Sequence, residues 1–353
     1  MGRYKSVEIK GLFFDKFDEL FESSLHAAIK NSKLSKEEIV AKLSPKFDDL
    51  VSTYEDTISS VYLENHKFNL KNFLKAHFDN QKTIAVSNKD SFIPFFLYIN
   101  GCAIAYKKIT QKISRKRIDS TLKTNVALYG LIIRRADEIA NLLLCGHIDG
   151  AMIIWRSFYE YSIILLLLAI ENNPNLADKF YRHSIRNSKN KVASFHKHHK
   201  ALNFKALPKS TYKNLKEEIE NLNNEYGKDF LANDFGWADD LFPGKQKANF
   251  RLIEARVEMS KYRPYYLLCC EQMHSNFNGF NNFMEGRKLI LPRILGQEID
   301  LKYFVDPMQF TLSILNDIND YILYEFSTRN EFEVNMLLLE KIFEQQQKTF
   351  KSA

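Results

Sequence analysis

Three ionisable side chains in largely apolar segments could do chemistry in this sequence: Arg156, Glu160 and His274. Arg156 and Glu160 are four residues apart, so on a helix their charged groups project from one side. Burying either charge alone would be costly, so each needs a partner or a polar cavity. The pair is either a buried ion pair that fixes helix register, or a polar pocket in which Arg156 binds an anion and Glu160 orients a base.

His274 lies in a segment that apolar spacing predicts to be helical, Tyr265–Met284. A histidine that titrates near neutral pH can act as a general acid or base in phosphodiester cleavage. The alternative is a core histidine with a satisfied hydrogen bond. Arg263 precedes His274 by 11 residues, about 16 Å along a helix, too far for both to touch one phosphate. We therefore predict Arg156 as the partner of His274, with Glu160 completing the candidate catalytic set.

The net charge of +7 is concentrated in one basic segment, Lys179–Lys209. This segment contains nine Lys or Arg, no Asp or Glu, and four of the nine histidines. Such a stripe can face phosphates or an acidic protein, and a solvated helix face is the plain alternative. We predict RNA rather than DNA as the nucleic-acid partner. The candidate nucleic-acid-binding residues are Arg182, Arg186, Lys189, Lys191, Lys197 and Lys200.

The sequence does not indicate a metal or cofactor site. His196 and His199 are three residues apart, but no carboxylate or cysteine nearby completes a metal site. An Asp-rich loop around Trp237 could bind Mg²⁺, although such loops more often cap helices. Its carboxylates are Asp234, Asp239 and Asp240. The four cysteines form no CxxC pair, and there is no P-loop or GxGxxG motif, so we predict no metal and no cofactor.

The spacing of apolar residues predicts an all-α fold, which includes one basic helix from about Leu176 to Ala206 and a helix near Ala248–Lys261. The 353 residues include only 12 Gly and 8 Pro, which favours long helices, and no long alternating stretch indicates a sheet. We predict a multi-helix bundle with an N-terminal helical region, in which Ser35 and Glu38 form a helix-capping pair. The pattern breaks at Pro94, which suggests a boundary there. The predicted division is an N-terminal helical region (1–90), a main bundle (91–295) and C-terminal helices packed on that bundle (296–353).

One apolar run, Ala151–Ile170, is long enough overall to be considered as a membrane span. Its uninterrupted part, Ile163–Ile170, is far shorter than the roughly 20 residues that a span requires, so we predict a buried core helix and no membrane partner. The N-terminal residues have no apolar signal-peptide region, which favours the cytoplasm. Long apolar helix faces would also suit a homodimer.

Four motifs between about Leu122 and Phe283 occur in a recognisable order. They are LLLCGHIDGAMIIWRSFYEYSIILL, LADKFYRHSIRNS, DFGWADDLF and YRPYYLLCCEQMHSNFNG. In this order they resemble a bacterial helical family catalogued as domain of unknown function 5677, over a little under half of the chain. The resemblance implies a helical fold and carries no established activity.

In outline, such proteins are also similar to the HEPN group, helical bundles found among prokaryotic toxins and phage-defence effectors. Several HEPN proteins are metal-independent ribonucleases that use an Arg followed, after four to six residues, by a His. No Arg precedes a His at that spacing in this chain, so such an activity would need an Arg from another helix, and Arg156 is the candidate.

Two hypotheses of function therefore stand. In the first, a cytoplasmic prokaryotic effector in phage defence or a toxin system binds RNA and cleaves it: Arg156 clamps a phosphate, His274 exchanges the proton and Glu160 orients one of them. In the second, these side chains form a structural polar core, and a non-catalytic module binds nucleic acid or an acidic protein. Contact between Arg156 and His274 in one solvent-open pocket distinguishes the two.

Overall fold

The computed structural model describes most of the chain from residue 77 onward. The described ranges are 77–113, 119–242, 247–274, 302–326 and 331–351, with 30, 35, 38, 74–75, 244, 284–285 and 288–289. In the last two helices, side-chain burial is described for 302–323 and 339–349. The chain divides into two compact units. The first comprises Met1–Ser87, Leu144–Gly146 and Arg287–Ile299, and the second Asn88–Leu143, His147–Gly286 and Asp300–Ala353.

The fold is all-α, as predicted, with two strands of only two residues each among the described residues. The helices are α1 (Lys89–Ile113), α2 (Ser120–Leu144), α3 (Ile148–Glu171), α4 (Pro174–His183), α5 (Ile185–His198), α6 (Lys209–Tyr226), α7 (Asp229–Ala232), α8 (Phe250–Arg256), α9 (Arg263–Met273), α10 (Lys302–Phe326) and α11 (Glu331–Lys351). Two 3₁₀ helices span Gly236–Leu241 and Ser260–Tyr262, and the strands are β1 (Met284–Glu285) and β2 (Lys288–Leu289).

Helix α3 lies at the centre of the second unit, where it packs against α8, α9 and α10. Its buried side chains include Trp155, Phe158, Tyr159 and the run Leu165–Leu168. A helix that is apolar on nearly all sides is stable in water only when other elements cover it. Helix α10 also contacts α1 and α11, and α11 packs along α1, so the C-terminal helices complete this core.

By length and composition, α3 is also the one helix in the described ranges that could cross a membrane. Half of its most apolar 18-residue window is buried inside the protein, and the core helix of a soluble protein meets the same criterion. Its aromatic side chains Trp155, Phe158 and Tyr159 are buried inside the protein.

The ends of α3 and α4 follow from local chain chemistry. Asn172 has the left-handed conformation (φ 42°) that commonly closes a helix, and its N–H bonds to the carbonyl of Leu168 at 3.1 Å. The side chain of Asn173 then caps α4 by accepting from the N–H of Asn175 at 3.0 Å, and Pro174 occupies the first helical position.

The basic segment forms two helices where the sequence predicted one. Helix α4 ends at His183 and α5 begins at Ile185. At Ser184 the N–H bonds to the carbonyl of Tyr181, three residues back, at 3.2 Å. This tighter turn separates the two helices.

Two predicted helices are shorter than expected. The segment expected to be helical from Ala248 to Lys261 contains only α8 and a 3₁₀ turn, because Glu258 has a left-handed backbone (φ 58°). Helix α9 ends at Met273 and not at Met284, because the backbone of His274 is extended (ψ 127°).

The pattern break at Pro94 is not a break in the structure. Helix α1 continues through Pro94, as α10 does through Pro307 near its own beginning. The capping pair is confirmed: the N–H of Ser35 donates to Glu38 Oε2 at 2.8 Å, and the N–H of Glu38 donates to Ser35 Oγ at 3.3 Å. Most of the predicted N-terminal helical region lies outside the described residues.

A neutral network, formed by Tyr98, Cys102, Tyr129 and Asn319, ties α1, α2 and α10 together. The Tyr129 hydroxyl donates to Asn319 Oδ1 at 2.6 Å, and Asn319 Nδ2 donates to the Tyr98 oxygen at 3.0 Å and to Cys102 Sγ at 3.4 Å. All four side chains are buried, so these bonds replace the water that the polar atoms lose on folding.

Candidate functional site

Helix α3 positions the first two predicted site residues, Arg156 and Glu160. As their spacing implies, they form an ion pair, with 3.0 Å between Arg156 Nη2 and Glu160 Oε1. The side chains are 20% and 34% exposed, so the pair lies at the edge of the core. A pair that keeps some solvent avoids the full desolvation cost of a buried one.

Helix α9 supplies the other partners of this pair. The Tyr266 hydroxyl donates to Glu160 Oε1 at 2.7 Å, and Arg156 Nη1 contacts the sulfur of Met273. The Arg156 guanidinium carbon also lies 5.8 Å from the centre of the Tyr266 ring, within cation–π range. Glu160 therefore receives one donor from each helix, which holds α3 against α9.

These contacts keep Arg156 charged and Tyr266 neutral. Burial lowers the pKa of Arg156, but the Tyr266 hydroxyl and the Glu160 charge outweigh it and raise the pKa above its ordinary value. Burial raises the pKa of Tyr266, which therefore remains a neutral donor at physiological pH. Arg156 Nε is buried and has no hydrogen-bond partner among the described residues. Arg156 therefore keeps its charge at neutral pH.

A second Arg–Glu pair, Arg263 and Glu254, lies deeper in the protein and was not predicted from the sequence. Together with Tyr159 it forms a charged cluster of Tyr159, Glu254 and Arg263. Glu254 is only 1% exposed, and the Nε of Arg263 donates to its Oε2 at 2.7 Å. The Tyr159 hydroxyl lies 2.6 Å from Glu254 Oε1 and 2.9 Å from the carbonyl of Met259. Both carboxylate oxygens of Glu254 are thereby satisfied, as a buried carboxylate requires.

Aromatic rings pack around both pairs. The Arg263 guanidinium carbon lies 5.3 Å from the centre of the Tyr266 ring, so two cations lie within reach of one ring. Tyr266 packs on Phe250 with 5.1 Å between ring centres, and Trp155 meets Tyr265 edge-on at 4.5 Å. The excess of tyrosine and phenylalanine in the sequence thus serves packing around a polar core.

His274 lies next to the Arg156 contact but is not joined to it. It directly follows Met273, and its N–H bonds to the carbonyl of Cys270 at 3.0 Å, at the end of α9. Its side chain is exposed and makes no hydrogen bond to Arg156 or Glu160 within the described structure. The structure therefore brings Arg156 and Glu160 together, with Tyr266 rather than His274 bound to Glu160.

The first three cations of the basic segment are paired with acids. Lys179 contacts Asp240, and Arg182 donates to both carboxylate oxygens of Glu225 at 2.8 and 2.7 Å. Arg186 Nη1 lies 2.5 Å from the carboxylate of Asp234, and its Nε donates to the carbonyl of Leu231 at 3.0 Å. The two predicted arginines thus hold α4 and α5 against the elements that follow them.

The lysines further along the basic segment are different. Within the part of the chain that the structure describes, they are exposed and form no ion pair. They are Lys189, Lys191, Lys197 and Lys200, followed by Lys205 and Lys209. The predicted binding set therefore divides into two paired arginines and four solvated lysines.

Part of the chain is similar to a known family. Residues 125–288 match the model of a family of unknown function (DUF5677). No curated protein and no solved structure matches the chain. The match confirms the resemblance seen in the motifs over this segment, which contains both Arg–Glu pairs, His274 and the basic segment.

The DUF5677 segment also contains the histidines and aspartates considered as metal ligands. Among the described residues, no three His, Cys, Asp or Glu side chains group closely enough to hold a metal ion. His196 Nδ1 lies 3.0 Å from the Tyr212 hydroxyl, and His199 Nδ1 donates to the His196 carbonyl at 2.9 Å. Asp234 and Asp240 pair with cations, and Asp239 accepts from the N–H of Ala248 at 2.7 Å.

Proposed function

We propose that the chain is a helical module that binds RNA through four lysines of α5 and the turn after it, here called the α5 lysines: Lys189, Lys191, Lys197 and Lys200. The observation that supports this proposal is the contrast within the basic segment. Its first three cations have acidic partners. The four lysines, in contrast, are exposed and have no acidic partner among the described residues. Unpaired lysines on a helix and in the turn that follows it attract a phosphate backbone without a competing internal acid.

The paired polar core favours binding over chemistry. Glu160 already accepts from Arg156 and Tyr266, and Glu254 accepts from Arg263 and Tyr159. Both carboxylates therefore already have partners inside the protein, as expected for polar groups that hold helices together. The module therefore needs only its surface to act, and an RNA backbone is the partner that this surface suits best.

A charge-removal experiment tests the proposal. Lys197→Gln/Lys200→Gln should weaken binding of an RNA oligonucleotide about 10-fold at low salt. The slope of log affinity against log salt should flatten by about 1.4, since each lost single-strand phosphate contact contributes about 0.7. Fluorescence anisotropy over a salt series measures both quantities.

The matched control is Lys213→Gln/Lys216→Gln on α6. It removes the same charge from two lysines that already pair with Glu217 and Glu220 at 3.7 Å. This control should change the affinity less than about 2-fold. Equal effects of the two double variants, or no binding by the wild type, would overturn the proposal.

A second candidate function is metal-independent RNA cleavage by Arg156, Glu160 and His274. It is favoured by the position of the exposed His274 directly after Met273, the residue that Arg156 contacts. If His274 exchanges the proton, His274→Ala should slow cleavage of total RNA at least about 100-fold, the usual contribution of a general acid or base. If the RNA stays intact with both the wild type and His274→Ala, the cleavage function is excluded and only the binding function remains.

We further propose the setting that the HEPN resemblance implies, a cytoplasmic prokaryotic effector in phage defence or a toxin system. Support for this setting comes from the sequence resemblance. Expression in a bacterial host should slow growth or reduce phage yield, and Lys197→Gln/Lys200→Gln should relieve the effect. A phenotype unchanged by that variant would separate the effector role from RNA binding.

A further inference from the structure

We propose that Phe204 and Phe195 form a base-stacking platform at the end of α5, which makes the module selective for single-stranded RNA. This inference rests on the proposed function, because the α5 lysines must first hold the RNA backbone. The lysines recognise only the RNA backbone, whereas the aromatic platform would recognise the face of an unpaired base. Phe204 is 58% exposed, so much of its ring surface is open to solvent.

The turn after α5 holds Phe204 in place. Asn203 is left-handed (φ 56°), and its N–H bonds to the carbonyl of Lys200 at 3.1 Å. The N–H of Phe204 bonds to the carbonyl of His199 at 2.8 Å. This pair of bonds is a Schellman motif, a common closure for a helix. The backbone of Phe204 is therefore ordered before any ligand arrives.

The rings near this turn are close to parallel. Phe204 and Phe195 differ by 14° in orientation, with 6.1 Å between ring centres. Phe195 and His199 differ by 18° at 5.8 Å, and the buried His199 is fixed by its bond to the His196 carbonyl. Phe204 is thus the exposed end of an offset aromatic stack that is anchored in the protein. An unpaired base placed on Phe204 would extend this stack.

The surrounding charge matches an RNA strand. Lys197 and Lys200 precede Phe204 on the same helix end and Lys205 follows it, all three exposed. Lysines that follow the backbone together with an aromatic ring for the bases are what single-strand-binding proteins combine. A duplex offers its phosphates but keeps its bases stacked inside, so the ring adds nothing to duplex binding. An acidic peptide would use the lysines and have no base for the ring.

Phe204→Leu tests the platform, because it keeps an apolar side chain and removes the ring. It should weaken binding of a single-stranded RNA about 5- to 100-fold, the range for loss of one stacked base. The salt slope should stay unchanged, since no phosphate contact is lost. Binding of an RNA duplex, and of a strand with abasic sites in place of the bases, should change less than about 2-fold.

Two further variants complete the experiment. Leu202→Ala is the matched control, since Leu202 is also 58% exposed but has no ring, and it should bind like the wild type. Phe204→Trp should restore binding, and its fluorescence should fall when RNA is added. Because Trp155 and Trp237 are both buried, at 0% and 2% exposure, the new ring should dominate that response.

The outcomes separate this inference from the proposed function. If Lys197→Gln/Lys200→Gln weakens binding but Phe204→Leu matches the wild type on single strands, the platform is overturned and RNA binding stands. If Phe204→Leu weakens single-strand and duplex binding equally, the ring has another role and the platform is also overturned. If the wild type binds neither RNA, the proposed function fails first.

Discussion

The charged cluster of Tyr159, Glu254 and Arg263 and the neutral network around Asn319 are both buried polar assemblies of the second unit. In the charged cluster, Glu254 and Arg263 are nine residues apart, and one residue of α3 completes the set. In the neutral network, Asn319 bonds to groups 190 to 221 residues away. The charged cluster thus ties the short connection between α8 and α9 to α3, whereas the neutral network joins long helices that are remote in sequence. Leaving a buried charge without a partner also costs more free energy than leaving a buried amide without one.

Removing the cation of the charged cluster should have the largest effect. Arg263→Ala leaves Glu254, which is 1% exposed, without its counter-charge. We expect the free energy of unfolding to fall by about 3–5 kcal/mol. Urea unfolding followed by the fluorescence of the buried Trp155 and Trp237 reports on this unit.

Arg256→Ala is the control for this prediction. Arg256 is 39% exposed and pairs with Glu171, so the same change should cost at most about 1 kcal/mol. The double variant Glu254→Leu/Arg263→Met should recover most of the loss, because no charge is left unpaired. Equal losses for Arg263→Ala and Arg256→Ala would show that burial of Glu254 does not matter.

Breaking the neutral network should cost less. Asn319→Ala removes the acceptor of the buried Tyr129 hydroxyl and one of the two partners of the buried Tyr98 hydroxyl. We expect a loss of about 2–3 kcal/mol, because each stranded buried polar group costs about 1–3 kcal/mol and part of that cost is relieved by local relaxation. The same urea experiment measures it.

Asn316 supplies the matched amide. It accepts from the Tyr98 hydroxyl at 3.1 Å but is partly exposed, so water can replace it. Asn316→Ala should cost less than about 1 kcal/mol. If Asn319→Ala proved as costly as Arg263→Ala, the distinction between charged and neutral burial would not hold in this unit.

The sequence predicts the fold well because the cause of each helix is local. Apolar spacing marks the long helices, and Asn172 and Asn203 are residue types that often close them. Glu258 also adopts the left-handed conformation, and no property of glutamate announces it. The ends of predicted helices were therefore less accurate than their existence, as the split of the basic segment and the early end of α9 show.

The candidate site was predictable only where its contacts run along one helix. The Arg156–Glu160 pair follows from a four-residue spacing. The bond from Tyr266 to Glu160 crosses between helices, and the Glu254–Arg263 pair spans the left-handed residue Glu258 between α8 and α9. The distance from Arg263 to His274 along a straight helix does not reveal the partner of Arg263, which lies nine residues before it.

The smallest expected effect on stability comes from adding a charge to the neutral network by raising the pH. Burial raises the pKa of Cys102 from 9.0 to about 11. A thiol whose pKa is raised on folding contributes stability that is fully present below its unfolded pKa and is lost as the pH rises toward its folded pKa. Between pH 8 and pH 10 the free energy of unfolding should therefore fall by about 1 kcal/mol from this group.

Cys102→Ala separates this contribution from other alkaline effects. The variant is less stable at pH 8, because it leaves a small cavity beside Asn319, but its stability should fall less steeply from pH 8 to pH 10. Cys270→Ala is the control, since Cys270 is partly exposed, and it should keep the wild-type slope. Equal slopes for all three proteins would mean that Cys102 ionises as readily folded as unfolded. The neutral network would then tolerate a charge as well as the charged cluster does, and the contrast between the two buried assemblies would disappear.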